Sequence, residues 1–369
     1  MNIAGSHLTY CTNIHPGESW PEVRANLERH VVAVKQRVCP DAAFGIGLRL
    51  SARAAHELAA PGELAALRRF LAEHDLYVFT INGFPHGAFH ATPVKADVYR
   101  PDWLEDERLA YTNLLGDLLA QLLPDGVHGT ISTVPGCFRA RADHDAPARM
   151  ATRIRAAAAH LDTIFRRTGK RITLALEPEP CCAIETIAEA ITFFTHHLRG
   201  VAHVGLCLDA CHAAVEFEDL DVALGALFAA NVEVAKVQLS AGLRVLPADV
   251  AARRALARFA EGVYLHQVVA RHGDGLTRYV DLPDALAANA PADEWRIHFH
   301  VPIFRDELGA FASTQPFLID LLALHRASPL STQLEVETYT WDVLPAEFRD
   351  QPIADAVARE LAWVIERIQ

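Results

Sequence analysis

The chain has 369 residues, of which 51% are hydrophobic, and its formal net charge is −12. This length and composition allow one large α/β core, so we treat residues 1–369 as a single domain. The negative net charge argues against nucleic acid as a partner, because the sequence has no cluster of basic residues that could neutralise phosphates. Without a signal peptide or a bilayer-length apolar run, the sequence predicts a cytoplasmic protein with no membrane insertion. Its seven cysteines are then expected to be free thiols.

Predicted strands and helices alternate along most of the chain. The first four strands are predicted at residues 6–13, 44–50, 76–83 and 129–134. Four later strands end near a polar residue each, at Glu177, Asp209, Gln238 and Glu337. Helices fill the intervals, beginning with one whose start is marked by an S-x-x-E capping box at Ser19. This order predicts right-handed βαβ crossovers, a parallel sheet and an α/β fold of the (β/α)8 TIM-barrel type.

One further apolar run gives the chain a ninth candidate strand. It is WRIHFHVPI, at residues 295–303. We interpret residues 243–331 as a long insertion before the last barrel strand, containing a helix at 248–259, a hairpin that turns around 272–275, and this strand. In the alternative interpretation, the strand that carries His298 and His300 is itself the eighth barrel strand.

The four late strands each deliver an oxygen ligand to the same rim of the predicted barrel. Glu177 follows ITLAL, Asp209 follows VGLCL, Gln238 lies in VAKVQLSA, and Glu337 lies in QLEVETYTW. Parallel strands place their carboxyl ends at one edge, so these groups predict a site for one divalent metal ion: Mg²⁺, Mn²⁺, Co²⁺ or Zn²⁺. Glu335 is an alternate ligand to Glu337.

Side-chain alternation along strands identifies what lies beneath this site. Lys236 shares a face with Gln238, and Glu335 shares a face with Glu337. We therefore predict a buried ion pair between Lys236 and Glu335, one layer below the metal, since neither charge is tolerable alone inside the barrel. Lys236 is also a candidate substrate contact.

Several histidines and asparagines follow predicted strands, where substrate contacts are expected. His212, three residues after Asp209, is a candidate for polarising a substrate oxygen, and His298 and His300 could close over the metal from the insertion. Each also has an ordinary interpretation as a loop or surface residue. Further candidates, for which the ordinary interpretation is as good, follow strands one and three: Asn13, His15, Asn82 and His86. No Gly-rich dinucleotide motif, P-loop or nucleophile elbow is present.

The motifs LEPEP, LDACH, KVQLSAG and LEVETY, in this order, resemble the xylose-isomerase-like barrel superfamily of sugar phosphate isomerases, epimerases and hydroxypyruvate isomerases. The resemblance implies that Glu177, Asp209, Gln238 and Glu337 are the metal ligands, with Gln238 similar to the glutamine variant of hydroxypyruvate isomerases. LTYCTNIHPGESW, HFHVP and LEVETYTWDVLP look like a narrower branch, EboE, described as metabolite-traffic proteins.

These observations predict a metal-dependent isomerase or epimerase acting on a small, sugar-like hydroxycarbonyl metabolite. An enediolate would form on the divalent metal, with Glu177 and Glu337 as base and acid. The alternative is a non-catalytic metabolite-binding or trafficking protein of the EboE type. A metal-dependent endonuclease is opposed by the acidic balance. The sequence leaves open whether the chain forms a homodimer.

Overall fold

The computed structural model describes residues 1–90, 92–246, 250–288 and 290–369. Within these ranges the chain forms fifteen strands, numbered in chain order: β1 (Asn2–Ile3), β2 (Ser6–Tyr10), β3 (Phe44–Arg49), β4 (Leu76–Asn82), β5 (Gly129–Thr133), β6 (Ile172–Leu176), β7 (Val204–Asp209), β8 (Val234–Leu239), β9 (Leu243–Val245), β10 (Val268–His272), β11 (Gly275–Tyr279), β12 (Glu294–Ile297), β13 (Glu307–Leu308), β14 (Phe311–Ser313) and β15 (Gln333–Val336).

The described residues also form thirteen α-helices: α1 (Trp20–Asn26), α2 (Val32–Val38), α3 (Ala52–Leu58), α4 (Pro61–Glu73), α5 (Asp106–Leu122), α6 (Ala146–Thr168), α7 (Ile187–His197), α8 (Ala210–Val215), α9 (Leu220–Ala229), α10 (Val250–Leu256), α11 (Leu282–Ala288), α12 (Gln315–Ala327) and α13 (Ile353–Ile368). A π-helical turn, Leu27–Val31, joins α1 to α2. In the part of the chain described here, no helix combines the length and the apolar character that a membrane crossing needs.

Eight parallel strands form the predicted barrel. Their order in the sheet is β2, β15, β8, β7, β6, β5, β4, β3, with β1 added antiparallel to β2 at the edge. A parallel bridge between Cys11 and Gly47 brings the two ends of the sheet together. The TIM-barrel fold predicted from strand and helix alternation is confirmed. Because β15 is the eighth barrel strand, the alternative that gave this place to the run 295–303 is wrong.

The segment between β8 and α12 builds a second, antiparallel sheet. Its six strands lie in the order β11, β10, β12, β9, β14, β13, and the predicted hairpin is present as β10 and β11. The predicted strand 295–303 is shorter than expected, since β12 ends at Ile297, and it lies inside the sheet. His298 and His300 therefore follow the strand. The predicted helix start at Ala248 lies outside the described residues, and α12 is the crossover that returns the chain to β15.

Local sequence signals explain several element boundaries. Gly169 ends α6 in the left-handed conformation, at φ 73°, which glycine adopts without strain. Thr186 caps α7 and forms a reciprocal capping box with Glu189. Pro61 begins α4, and because proline cannot continue a preceding helix, α3 and α4 are separate. All seven cysteines are free.

The interior of the barrel contains the predicted ion pair. The ammonium of Lys236 pairs with the carboxylate of Glu335, and both side chains are fully buried. The Lys236 Nζ also lies 3.5 Å from the hydroxyl of Ser132, to which it donates. A Cβ added at Gly47 would meet Glu335 Oε1, so glycine there makes room for the carboxylate.

We expect the stability of the protein to fall as pH rises from about 4.5 to 7 because of Glu360. This carboxyl is 2% exposed, and burial raises its pKa from 4.5 to about 7 although Thr338 and the Ile303 backbone N–H donate to it. The folded state then binds the proton more tightly than the unfolded state, so the ionised form costs up to about 3 kcal/mol above pH 7. Glu360→Gln should remove that cost.

Urea unfolding of Glu360→Gln and of the wild type at pH 5 and pH 8 tests this. The variant should be the more stable of the two at pH 8, with a smaller advantage at pH 5. The surface variant Glu366→Gln serves as the control and should follow the wild type. An equal effect of Glu360→Gln at both pH values would contradict the prediction.

Candidate metal centre

Three carboxylates converge at the carboxyl ends of the barrel strands. Glu177 directly follows β6, Asp209 is the last residue of β7, and Glu337 directly follows β15. They are 2–5% exposed, and one ligand oxygen from each lies within 4.8 Å of the others. Gln238, from β8, joins them, because its Nε2 donates to Glu177 Oε1 at 2.6 Å. The four predicted ligands are thus neighbours at one rim.

Hydrogen bonds orient each carboxylate and leave some oxygens free. The side-chain amides of Asn13 and Asn82 both donate to Glu337 Oε1, at 2.7 and 3.0 Å. Asp209 Oδ1 accepts from the Ser240 hydroxyl at 2.7 Å and from a backbone N–H at 3.0 Å. Among the four predicted ligands, three buried oxygens have no hydrogen-bond partner among the described protein atoms: Glu177 Oε2, Asp209 Oδ2 and Gln238 Oε1.

The buried carboxylates lie so close together that a bound cation would stabilise their ionised forms. Burial, and then the neighbouring carboxylates, raise the pKa values of Glu177 and Glu337 well above 4.5. Burial alone would also raise the pKa of Asp209, but His212 and His300, together with the Ser240 hydroxyl, hold it below its usual value. Free, hard oxygens on a group of three carboxylates and an amide are the donors that a divalent ion prefers, so the residues present fit such an ion.

Three predicted histidines lie beside the carboxylates. His212 is in the first turn of α8, and its Nε2 lies 3.0 Å from Nε2 of His298. His298 Nε2 lies 3.2 Å from Nε2 of His300. All three rings are at most 5% exposed. His298 and His300 were predicted to lie on a strand, but β12 ends at Ile297, before them, and both rings nevertheless reach the site.

The structure does not bring every predicted residue to the cavity beside the carboxylates. Nε2 of His15 forms a 3.0 Å hydrogen bond with the Tyr10 hydroxyl, and the His15 ring stacks on His30. His86 packs edge-on against Tyr111. Lys236 and Glu335, the alternate ligand, lie below the rim in their ion pair, so the geometry favours Glu337 over Glu335 as a ligand.

Sequence reasoning missed several residues of the site. Glu179 is 5% exposed, accepts a 2.7 Å hydrogen bond from the Tyr99 hydroxyl, and has its other oxygen without a partner among the described atoms. Gln267 donates to the same hydroxyl at 2.7 Å. Two signals could have identified members of this group: Glu179 is the second acid of LEPEP, and Tyr339 follows Glu337 by two residues.

A small cavity of about 50 Å³ lies over the carboxylates and is lined by Glu177, Glu179, His212, His298 and Glu337 among others. Three aromatic rings from separate segments cover it; we call them the aromatic cap: Phe89, Tyr264 and Tyr339. Their ring centroids are 5.1 to 5.3 Å apart. The carboxylates beneath it are 2–5% exposed.

Comparison with known proteins supports the assignment of the fold. A family described as the xylose isomerase-like TIM barrel matches residues 42–303. No curated protein has a sequence that matches significantly. Three similar solved structures, each 12% identical and covering 98–100% of both chains, are a xylose isomerase-like TIM barrel protein from Mycobacterium smegmatis in complex with magnesium (TM-score 0.54), a D-allulose 3-epimerase from Methylomonas sp. (0.54), and a probable 3-DHS dehydratase from Bacillus anthracis (0.52).

Proposed function

Because this chain belongs to the xylose isomerase-like TIM-barrel family, we propose that it is a metal-dependent isomerase or epimerase of a small, sugar-like hydroxycarbonyl compound. One observation carries the proposal: Glu177, Asp209 and Glu337 bring ligand oxygens within 4.8 Å of one another in a buried site. The solved structures with this fold include an epimerase, a dehydratase and a magnesium complex.

The residues suit proton transfer at a carbon next to a carbonyl. A divalent ion held by Glu177, Asp209, Gln238 and Glu337 would polarise two adjacent substrate oxygens and acidify the C–H beside them. Glu177 and Glu337 stand on strands separated by β7 and β8, so they face a bound substrate from different sides. Glu177, whose Oε2 has no partner among the described atoms, is the proposed base.

Glu337 is the proposed acid. Asn13 and Asn82 both donate to its Oε1 and fix the orientation of the carboxyl group, which leaves Oε2 to exchange a proton with the substrate. His212 lines the same cavity, and its Nδ1 donates to the Pro178 carbonyl oxygen. The carboxylates are 2–5% exposed, and their burial strengthens the electrostatic interactions in the site.

The aromatic cap also supports the second candidate function, a non-catalytic metabolite-binding or trafficking protein of the EboE type. A cavity of about 50 Å³ holds roughly one or two water molecules, so a sugar-sized compound needs the cap to move. A protein that encloses a metabolite in order to carry it would use such a cap as well. The two candidates differ in whether the bound compound exchanges its carbon-bound proton with solvent.

Replacing Glu177 by glutamine should abolish proton exchange with little effect on folding. The variant keeps the shape of the side chain but removes the proposed base, and general bases contribute about 10²–10⁴-fold to such rates. We would incubate the protein with a divalent ion and a panel of ketoses and aldoses in D₂O, and follow deuterium incorporation by NMR. The wild type should exchange deuterium into one carbon of a substrate, and Glu177→Gln should not.

Glu233→Gln is the matched control, because Glu233 is a partly exposed glutamate paired with Arg171 away from the cavity. It should exchange at the wild-type rate. Binding of a ketose without exchange in the wild type would overturn the enzyme proposal and favour the carrier function. Equal exchange by Glu177→Gln and the wild type would overturn the assignment of the base.

A further inference from the structure

One buried carboxylate of the cavity has no part in the proposed metal centre or in proton transfer. Glu179 is 5% exposed and lines the cavity beside Glu177 and Glu337. Its Oε1 accepts a hydrogen bond from the Tyr99 hydroxyl at 2.7 Å, whereas its Oε2 has no partner among the described protein atoms. A carboxylate oxygen that is buried without a partner costs free energy, so this oxygen is an open acceptor for a donor on a bound compound.

A short chain of hydrogen bonds holds Glu179 in this orientation. The amide Nε2 of Gln267 donates to the Pro180 carbonyl oxygen at 3.2 Å and to the Tyr99 hydroxyl oxygen at 2.7 Å. Because that hydroxyl accepts from Gln267, its single hydrogen is directed at Glu179 Oε1. The chain therefore fixes one oxygen of the carboxylate and leaves the other free.

The aromatic cap has the form of a cage. The ring of Phe89 is inclined by 51° to Tyr264 and by 51° to Tyr339, and the two tyrosine rings are inclined by 80° to each other. Rings at these angles enclose a corner, which stacked rings do not. All three line the same cavity as Glu179. Aromatic cages of this kind recognise ammonium groups, because the face of each ring attracts a cation within about 6 Å.

The described residues that line the cavity offer no free positive charge to an anionic substituent. Besides two histidines, Lys95 is the only basic side chain among them. Its Nζ donates to the carbonyl oxygens of Glu261 and Tyr264, at 3.0 and 2.6 Å, and to the Asp281 carboxylate at 2.8 Å. These bonds use all three hydrogens of the ammonium group. The cavity is therefore poorly suited to a phosphate or carboxylate group.

Negative charge exceeds positive charge in the cavity even with a metal ion bound. The three carboxylates of the metal centre and Glu179 carry four negative charges when ionised, of which a divalent ion offsets two. Burial raises the pKa of Glu179 to about 8, and an ammonium group at hydrogen-bond distance would favour the ionised carboxylate. The volume of about 50 Å³, enough for one or two water molecules, also accommodates one ammonium group.

We propose that the compound bound by this protein carries a protonated amino group, which Glu179 binds through a charge-assisted hydrogen bond and the aromatic cap surrounds. The substrate class is then an amino sugar or a related amino-substituted hydroxycarbonyl compound, an inference that rests on the proposed function for the hydroxycarbonyl part. The metal centre holds the oxygens at which the proton is exchanged, and Glu179 with the cap holds the amino group. Glu179 is thus a specificity-determining residue.

Binding of matched amino-hexitols and hexitols to the full-length protein tests the proposal. We would supply the protein with Mg²⁺ and titrate it by calorimetry at pH 7.5 with the 1-amino-1-deoxy derivatives of glucitol, mannitol and galactitol, and with the three parent hexitols. These compounds have no carbonyl group, so they bind without reacting. At least one amino-hexitol should bind about 10-fold or more tightly than its parent, the expected effect of one hydrogen bond between charged groups.

Substitutions separate Glu179 from other sources of this preference. Glu179→Gln keeps an acceptor for the Tyr99 hydroxyl but removes the charge, so it should weaken the amino-hexitol about 10-fold or more and the parent hexitol far less. Tyr264→Leu should weaken the amino-hexitol about 2- to 30-fold, and Tyr264→Phe, which retains the ring, should weaken it less. Glu233→Gln, remote from the cavity, is the matched control and should bind as the wild type does.

Three results would overturn the amino-group site. The first is that no amino-hexitol binds; the second is that each binds no more tightly than its parent. The third is an unchanged preference in Glu179→Gln, which would place the amine on the metal ion instead. The first two concern the wild type alone and stand even if a variant unfolds. None depends on turnover, so failure of deuterium exchange leaves this site standing, and failure of amine binding leaves the proposed base and acid in place.

Discussion

Replacing Lys236 by methionine is expected to lower the free energy of unfolding by about 3–5 kcal/mol, the usual cost of breaking a buried ion pair. Lys236 and Glu335 are both fully buried and pair with each other inside the barrel. Methionine fills a similar volume, so the loss arises because the Glu335 carboxylate remains buried without a cation. Urea unfolding followed by circular dichroism at neutral pH measures the change.

A second substitution separates charge from packing. In Lys236→Met/Glu335→Gln neither charge remains, and most of the lost stability should return. Lys170→Met is the control for an exposed pair: its partner Asp125 is almost fully exposed, so about 1 kcal/mol or less should be lost. If Lys236→Met were as mild as Lys170→Met, or if the double variant were less stable than the single one, the account of the pair would be wrong.

Asp209→Asn should remove the proposed metal ion and reduce proton exchange by at least as much as Glu177→Gln, which is about 10²–10⁴-fold. Asp209 is one of the three carboxylates that bring ligand oxygens within 4.8 Å of one another. Asparagine keeps an acceptor for the N–H of His212, so α8 retains its cap, while the ligand loses its negative charge. Metal content by mass spectrometry and deuterium exchange provide the two measurements.

The matched control is Asp219→Asn, the same change at the cap of α9, where the side chain accepts from the N–H of Val222 at 3.1 Å. It should leave the metal content and the exchange rate unchanged. If Asp209→Asn kept the metal content and the exchange rate of the wild type, Asp209 would not be a ligand of the proposed metal ion.

The barrel and its oxygen donors were predictable because they depend on local patterns. An apolar strand that ends in a carboxylate is visible in the sequence, and parallel strands must place such ends at one rim, which is why Glu177, Asp209 and Glu337 were found together. The pairing of Lys236 with Glu335 followed from side-chain alternation. Each of these inferences needs only the direction of a strand and the alternation of side chains along it.

The histidines beside the carboxylates and their supports were not predictable in the same way. His298 and His300 follow the end of β12, where alternation no longer fixes the direction of a side chain. Gln267 reaches Tyr99 across 168 positions of sequence, through contacts that depend on how the second sheet packs on the barrel. His15 and His86 were predicted as substrate contacts only because each follows a strand. That position does not determine whether a side chain points into the cavity or away from it.

The division of the site between two segments has an evolutionary consequence. The oxygen donors stand at the ends of barrel strands, which the fold itself requires, whereas His298 and His300 stand in a segment added between β8 and α12. Segments outside the barrel tolerate insertion, deletion and substitution far better than barrel strands do. Because His298 lines the cavity, changes in this one segment can alter the shape and polarity of the cavity while the carboxylates of the barrel stay the same. Exchange of the segment between related chains is then a direct way to diversify the chemistry of one barrel.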